Sequence, residues 1–254
     1  CLGEAELEAR AQFIEKLRAE TEDGTYPASV LSRKELEGML PKVPFGPEVS
    51  GGIWSDMDGY VDPLHLMFAF RKSFVRLGGT LFAGERVSEV KPSGKGYTVV
   101  CGGRTLECGK AVLAAGLGVR KLAAQLGTDI PVFPNKSQVM LLERIPADVL
   151  PIPLLGIART FGGTVMIGAA HENMGMDRRL TPEVLAANAQ WAVRVWPELE
   201  RKRILRFWTG LRVWPKDAYP IYDRIPGHEN AFVFAMHSAV SLAAILEQAL
   251  PDYV

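Results

Sequence analysis

The sequence predicts a mixed α/β (α+β) fold in which a parallel layer of the nucleotide-binding type is interleaved with a largely antiparallel sheet module. Two stretches predict the parallel layer, because each has a short apolar strand, a turn of small residues and a helix: "KAVLAAGLGVRKLAAQLG" at 110–127 and "FAMHSAVSLAA" at 234–244. Between them, from 131 to 215, strand-like runs are joined by turn residues with one helix among them, which is typical of an antiparallel module.

Composition restricts the class of protein and its partners. The 254 residues suffice for one large domain or two modest ones, and 48% hydrophobic with 23% charged residues is ordinary for a globular chain. Lys plus Arg equals Asp plus Glu, 29 of each, so nothing attracts the chain to nucleic acid or an anionic membrane. Because no apolar run of about eighteen residues and no secretory pattern occurs, we predict no transmembrane segment and a cytoplasmic location, with peripheral membrane association left open.

The cysteines predict free thiols. Cys1, Cys101 and Cys108 are too few, and odd in number, for a disulfide framework. Cys101 and Cys108 flank a predicted hairpin and could face each other, but free thiols in a reducing compartment are the favoured interpretation.

Other residues that often carry chemistry are interpreted conservatively. The histidines outside the 234–244 stretch lack metal-ligand spacing, so we predict no metal site and interpret them as structural or surface residues: His65, His171 and His228. The tryptophans are interpreted as core residues: Trp191, Trp196, Trp208 and Trp214.

The first elements are helical. Residues 4–20 carry apolar residues at helical spacing among many charges, which predicts an amphipathic surface helix. Ser32 and Glu35 have the spacing of a capping box at the start of a second helix. A third helix is expected to begin at Pro63 and to end at the Gly78-Gly79 pair.

The next segment changes to strands. Residues 80–108 contain short alternating runs separated by "PSGKG" and "GG", which predicts an antiparallel meander. The continuously apolar run 111–115 predicts a strand buried on both faces, followed by a helix at 119–126. Beyond Pro131 we expect antiparallel strands with a hairpin turn at "FGGT" and a helix capped by Thr181.

The glycine turn is an ambiguous motif by itself. Gly116-x-Gly118 leaves the backbone open at a helix start, where anions bind, but Lys121 stands where a G-x-G-x-x-G fingerprint has its third glycine. A packing turn between strand and helix therefore remains the alternative to a nucleotide site.

The pair His237-Ser238 is not interpreted as a hydrolase site. Adjacent side chains are expected to point in different directions, and no G-x-S-x-G occurs. Ser238 is instead expected to be a plain N-cap or part of a cofactor-facing helix start. Arg212, near a strand end, could bind a substrate carboxylate as a fork, or could form a surface ion pair with Asp217 or Asp223.

Taken in order, these motifs resemble the D-amino-acid oxidase / glycine oxidase (DAO) family of FAD-dependent flavoproteins. The matching segments are "GGIWSDMDGYVDPLHLMFAFRKSFVRLGGTLFAGERVSEV", "AVLAAGLGVRKL", "PVFPNKSQVMLLER" (with Ser137 where glycine is usual) and "GLRVWPKDAYPIYDRIPGHENAFVFAMHSAVSLAA". The "HSAVSLA" ending most resembles the flavin subunits of hydrogen cyanide synthase, opine oxidase and hydroxyproline dehydrogenase. The resemblance covers nearly the whole sequence.

The resemblance implies a Rossmann-like FAD-binding layer with a β-meander and a mostly antiparallel substrate domain. The implied bounds are 1–130 and 216–254 for the FAD-binding-type domain and 131–215 for the substrate domain. The first βαβ unit of the family, with its G-x-G-x-x-G, is absent from the sequence, which begins at Cys1. We therefore expect a truncated FAD-binding domain whose pyrophosphate cradle comes from elsewhere, or a fragment.

The resemblance also implies the site, with no protein nucleophile and no catalytic residue assigned. It assigns Arg212 and His237 to the substrate, and it assigns the following residues to FAD: Val87, Ala114, Ala115, Gly116, Arg212, His237, Ser238, Ala239 and Val240. The implied reaction is hydride transfer from the carbon beside the nitrogen of a small amine or amino acid to the flavin. Other oxidoreductase subunits are implied as partners. The alternative is a non-catalytic fragment or partner subunit that cannot hold FAD alone.

Overall fold

A computed structural model describes residues 1–168 and 170–244, and it shows the mixed α/β architecture that the sequence predicts. The helices are α1 (Glu4–Glu20), α2 (Arg33–Met39), α3 (Pro63–Arg76), α4 (Val119–Ala124), α5 (Pro182–Val195) and α6, which begins at 239 and is described as far as 244. The strands are β1 (Ser29–Ser32), β2 (Gly51–Trp54), β3 (Val87–Ser93), β4 (Gly96–Cys101), β5 (Arg104–Cys108), β6 (Ala111–Leu113), β7 (Val132–Arg144), β8 (Ile157–Arg159), β9 (Thr164–Ile167), β10 (Ile204–Pro215), β11 (Ile221–Arg224) and β12 (Ala231–Ala235).

The chain divides into two compact units. Unit 1 comprises Cys1–Asp62, Ser137–Ala170 and Arg179–Thr209, and unit 2 comprises Pro63–Lys136, His171–Arg178 and Gly210–Val254. Strands β7 and β10 contribute residues to both units. The division groups 1–62 with antiparallel strands, whereas the sequence-based bounds place this segment with the parallel layer. The cofactor and substrate roles of the two parts remain a prediction.

Unit 1 is built on the sheet order β10-β7-β9-β8 and on a separate antiparallel pair, β1 with β2. One hydrophobic cluster joins Leu36 of α2, Met140 of β7, Val165 of β9 and Ala192 of α5. Residues 1–62 belong to this unit because their apolar side chains, such as Leu40, are buried in that cluster.

Two helix starts in unit 1 illustrate how local and distant residues set boundaries. The capping box is confirmed: Ser32 Oγ accepts from the Glu35 amide, and the Glu35 carboxylate accepts from the Ser32 amide. Thr181 is the N-cap residue of α5, as predicted, but its side chain makes no capping hydrogen bond. The side-chain oxygen of Gln138, Oε1, accepts from the Thr181 amide at 2.9 Å. The Gln138 side chain on β7 thus holds the backbone at the start of α5.

Unit 2 contains the meander β3-β4-β5 and the sheet β11-β12-β6, in which β12 and β6 are parallel. The predicted strand 111–115 is shorter in the structure and is not buried on both faces, because Val112 is 43% exposed. The physical reason is position: β6 lies at the edge of its sheet, and no element among residues 1–168 and 170–244 covers the face that bears Val112.

Helix α3 begins at Pro63, as predicted, and its end is formed by Gly78 and Gly79, whose amides donate to the carbonyls of Val75 and Phe74. The helix has no buried residue. Its large apolar side chains are exposed and form what is called here the α3 surface: Leu64, Met67, Phe68, Phe70, Phe74 and Val75.

The cysteines are free thiols, as predicted. Within the β4-β5 pair, Cys101 lies opposite Arg104 and Cys108 lies opposite Tyr97, so the two cysteines do not face each other. No helix in the described part of the chain has both the length and the apolar character needed to cross a membrane.

Candidate active site

The candidate site lies in unit 2, at the edge where β6 and β12 end. Their parallel register pairs Ala111 with Ala231 and Leu113 with Val233, so both strands have their carboxyl ends at one edge. Each strand is followed by a turn and a helix, α4 after β6 and α6 after β12. In open α/β sheets, ligands bind beyond the carboxyl ends of parallel strands.

The turn after β6 requires glycine for its backbone. Gly116 has φ of 57°, in the left-handed region, and opens a 3₁₀ turn, Gly116–Gly118, that leads into α4. A Cβ at this position would meet only Val213 Cγ2, at 3.6 Å, so the requirement is conformational and not one of space. Ala114 and Ala115, just before it, are exposed.

His237 follows β12 and is held on three sides. Its ring stacks on Trp214, with centroids 4.6 Å apart and planes 18° apart. Its Nε2 lies 2.8 Å from the Ala218 carbonyl and its Nδ1 lies 2.9 Å from Ser238 Oγ. Because a carbonyl only accepts, Nε2 carries the proton, and in the neutral ring Nδ1 accepts from the Ser238 hydroxyl. The expectation that His237 and Ser238 point apart is therefore wrong.

Backbone strain is concentrated around this histidine. Among the described residues, the non-glycine positions with positive φ are Ala218 at 65° and Ser238 at 54°. Both are hydrogen-bond partners of His237. Such conformations cost about 1–3 kcal/mol each and persist where the surroundings impose them, commonly at functional sites. The two residues with strained backbones thus mark His237 as a candidate functional residue.

A second group of side chains is centred on Asn135 of β7, which is 7% exposed. Its Nδ2 donates to Asn173 Oδ1 at 3.1 Å, so its Oδ1 faces the other partners. This oxygen lies 3.0 Å from His171 Nδ1 and accepts from Arg212 Nη1 at 3.3 Å. His171 also meets Trp214 edge-on, with ring centroids 5.4 Å apart. Trp214 therefore connects the Asn135 group to His237.

Arg212 places a positive charge beside Asn135 and His171. Arg212 is half-buried; burial lowers the pKa of its guanidinium, which remains charged at neutral pH because arginine titrates so high. The pKa of His171 lies below its ordinary value, first because of partial burial and then because of electrostatic interaction with Arg212 and His237. Beside this group, Lys136 Nζ forms an ion pair with Glu172 Oε2 at 3.2 Å.

The structure brings together most, but not all, of the residues that the resemblance assigns to the site. Arg212 and His171 both contact Asn135, and His171 and His237 both contact Trp214. Ser238, Ala239 and Val240 continue from His237 into α6. Ala114, Ala115 and Gly116 lie at the end of the neighbouring strand. Val87 is in a different sheet, at the start of β3. Their roles remain predictions.

The alternative interpretation of Arg212 was a surface ion pair. In the structure, Arg212 donates to Asn135, while Asp217 accepts from the Tyr219 amide and Asp223 accepts from the Arg224 amide. Each aspartate thus accepts a hydrogen bond from the backbone of its own turn.

Sequence reasoning missed the residues that support the site. Asn135 and Asn173 were not singled out, His171 was interpreted as structural or surface, and Trp214 was interpreted as core although it is half-buried. The one available signal was the polar run Asn135–Gln138 inside a predicted strand, because buried amides require partners.

The fold and this edge define the class: an α/β protein of the type that holds a nucleotide cofactor where parallel strands end. The chain belongs to the DAO family, "FAD dependent oxidoreductase", whose family model matches residues 2–246. The predicted family is thereby confirmed, and FAD is the cofactor of this family.

Individual relatives agree with this membership. The chain is 33% identical over 244 residues to a subunit of the opine oxidase of Agrobacterium tumefaciens (strain Ach5), a match that covers 96% of this chain and 65% of the relative. It is 30% identical over 232 residues to the HcnC subunit of the hydrogen cyanide synthase of Pseudomonas aeruginosa, covering 87% and 54%. The chain thus spans less than two thirds of the length of these relatives.

The fold is shared with a solved structure. The structure of glycine oxidase from Geobacillus kaustophilus superposes with a TM-score of 0.86 at 22% identity, covering 99% of this chain and 68% of that one. This likeness shows the fold, and it confirms the predicted fold class.

Proposed function

We propose that this chain is part of an FAD-dependent oxidoreductase that oxidises the C–N bond of an amino acid or related amine of the glycine, hydroxyproline or opine kind. The observation that carries the proposal is Arg212, a half-buried guanidinium held by Asn135 in the same group of side chains as His237. A cation fixed in this way suits the carboxylate of an amino acid, which Arg binds as a fork.

The described residues fit part of an FAD-sized ligand. Exposed alanines end β6, Gly116 keeps backbone amides accessible, and residues 238–240 open α6, where partial positive charge favours an anionic group. The proposed FAD contacts are Ala114 to Gly116 and His237 to Val240, with Val87 and Arg212. A pyrophosphate cradle of the G-x-G-x-x-G type is not in the sequence. When bound there, FAD supplies a hydride acceptor.

The protein residues supply binding, orientation and electrostatics. Arg212 would bind the substrate carboxylate, and Asn135 fixes the guanidinium by accepting from Nη1. His237, held by Trp214 and the Ala218 carbonyl, presents one defined ring orientation beside the start of α6. No protein nucleophile is needed for such a reaction, because the cofactor supplies the chemistry. The proposed setting is cytoplasmic.

A second candidate is a partner subunit or fragment that cannot hold FAD alone. Two observations favour it: β6 is an edge strand that pairs in parallel with β12 and has no second neighbour among the described residues, and the α3 surface is uncovered there too. Parallel sheets are normally covered and flanked. The relatives named as subunits, of opine oxidase and of hydrogen cyanide synthase, support other oxidoreductase subunits as partners.

Flavin retention tests the proposal and separates the candidates. The purified chain is passed through gel filtration with and without added FAD, and its visible spectrum is recorded. Co-elution of flavin absorbance with the protein supports the oxidoreductase proposal. A protein that stays colourless at every FAD concentration overturns it for this chain and leaves the second candidate.

A matched pair of variants shows whether retained flavin lies at the proposed edge. Ala115→Asp places a carboxylate where β6 ends, and Ala187→Asp places one on the exposed side of α5. We expect FAD retention to be lost in Ala115→Asp and kept in Ala187→Asp. Equal retention by both variants would place the flavin elsewhere.

A further inference from the structure

The hydrogen bonds around Asn135 fix the protonation pattern of His171. Arginine has donors only, so the Asn135 atom bonded to Arg212 must be the amide oxygen. The same oxygen lies 3.0 Å from His171 Nδ1. An amide oxygen only accepts, so Nδ1 carries the proton. In the neutral ring, the lone pair of His171 is therefore on Nε2.

His171 is exposed to solvent. Among the described residues, its ring makes one hydrogen bond, through Nδ1, and one edge-on ring contact, with Trp214, so Nε2 has no hydrogen-bond partner there. The imidazole and the Arg212 guanidinium flank one oxygen atom. An α-amino acid can bridge two such groups, because a single carbon joins its amine to its carboxylate.

Burial and the charges around the ring disfavour its protonated form and so lower its pKa. Arg212 faces it from β10 with a positive charge that opposes protonation of the ring, and His237 faces it from the segment after β12. On β7, Asn135 is neutral and Lys136 is paired with Glu172, the residue that follows His171. A neutral imidazole is an acceptor for N–H groups, whereas an imidazolium would repel an ammonium.

We propose that His171, through Nε2, accepts a hydrogen bond from the amine of the substrate whose carboxylate Arg212 binds, and so makes the site select amino acids over plain carboxylic acids. The inference rests on the proposed function, since it takes an amino acid as the substrate. His171 is thus a specificity-determining residue that touches the amine.

Two isosteric probes isolate this contact in the FAD-bearing protein. 2-Aminoisobutyrate has an amine and a carboxylate but no hydrogen on its α-carbon, so it binds without being oxidised. Pivalate has a methyl group in place of the amine. Calorimetric dissociation constants for both are measured from about pH 5.5 to 8.5, a range that spans histidine titration. The readout is the ratio of the two affinities, which cancels the shared carboxylate contact.

We expect the wild type to prefer 2-aminoisobutyrate about tenfold at the alkaline end, the size of one charge-assisted hydrogen bond, and to lose the preference as His171 is protonated. His171→Gln keeps an acceptor that does not titrate and should hold its preference at all pH values. His171→Leu should show no preference. His65→Gln, a control on α3, should behave as wild type.

Nitrogen-15 NMR of the imidazoles gives an independent measurement that needs no substrate. A proton on Nδ1 of His171 near neutral pH is expected, and a proton on Nε2 overturns the proposal even if the Leu variant fails to fold. If both probes bind but the preference survives in His171→Leu or does not vary with pH in the wild type, the His171 proposal fails alone. If neither probe binds, the proposed function fails with it.

Discussion

The Ala218 carbonyl accepts a hydrogen bond from His237 Nε2 at 2.8 Å, and Ala218 adopts φ of 65° to offer it. The turn that carries Ala218 lies between β10 and β11, nineteen residues before His237 in sequence. A residue with a strained backbone thus holds one side of the His237 ring. This strain should lower the free energy of unfolding of the chain.

Ala218→Gly should raise the free energy of unfolding by about 0.5–1 kcal/mol, because glycine reaches positive φ without the steric cost that alanine has there. Ala187→Gly in the interior of α5 provides the matched control with opposite sign. There the same substitution should lower the free energy of unfolding by about 1 kcal/mol. Urea denaturation checks both, and a loss of stability in Ala218→Gly would contradict the strain argument.

Arg212→Ala should weaken binding of 2-aminoisobutyrate to the FAD-bearing protein by about 2–5 kcal/mol, the range seen when one partner of a buried charge pair is removed. Arg206→Ala removes an exposed guanidinium from the same strand and should leave the affinity unchanged. Titration calorimetry distinguishes the two. An unaltered affinity in Arg212→Ala would remove Arg212 from the substrate site.

Lys136→Met should destabilise the fold by about 3–5 kcal/mol, because it leaves the Glu172 carboxylate without its buried ion-pair partner. Lys136 is 1% exposed, so water cannot replace the ammonium. The double variant Lys136→Met, Glu172→Leu should recover most of the loss, since an apolar pair of similar size often matches a buried ion pair. Urea unfolding of the two variants supplies the comparison, and equal losses would refute the ion-pair explanation.

Ser32→Ala should lower the free energy of unfolding by about 1 kcal/mol at neutral pH through loss of the helix cap. The Ser32 hydroxyl and amide hold the pKa of Glu35 below its ordinary value. This stabilisation is therefore present above the ordinary glutamate pKa and is lost as the pH falls through the lowered one. The difference between wild type and Ser32→Ala should shrink in acid. Ser29→Ala, exposed on β1, should show no such pH dependence in the same denaturation series.

Features set by neighbours in sequence were predicted well. The start of α3 at Pro63, its end at Gly78 and the Ser32-Glu35 box follow from residues within one turn of each other. The exposed face of β6 could not be predicted in the same way. The exposure of Val112 depends on whether another element covers that face of the sheet.

The supporting group of the site escaped prediction for a related reason. Asn135 and Arg212 are 77 residues apart in sequence, and Asn135 and His171 are 36 apart. No local pattern connects them, since each lies on an element whose neighbours are decided by the packing of unit 2. Arg212 was a candidate from its place near a strand end, and the family resemblance assigned both Arg212 and His237 to the site. His171 lies outside the segments that carry the resemblance and was interpreted as a structural or surface residue.

The α3 surface bears on how this chain behaves in a test tube. A helix that presents three phenylalanines and one methionine to solvent, with a leucine and a valine, carries a group of exposed large apolar side chains of the kind that promotes association. In concentrated solution, the chain by itself should therefore form oligomers and aggregates. The cause would be a helix whose start and end agree with its local sequence. The exposed side chains of α3 thus limit the solubility of the chain. The well-packed cores of the two units do not change this, because they do not cover α3.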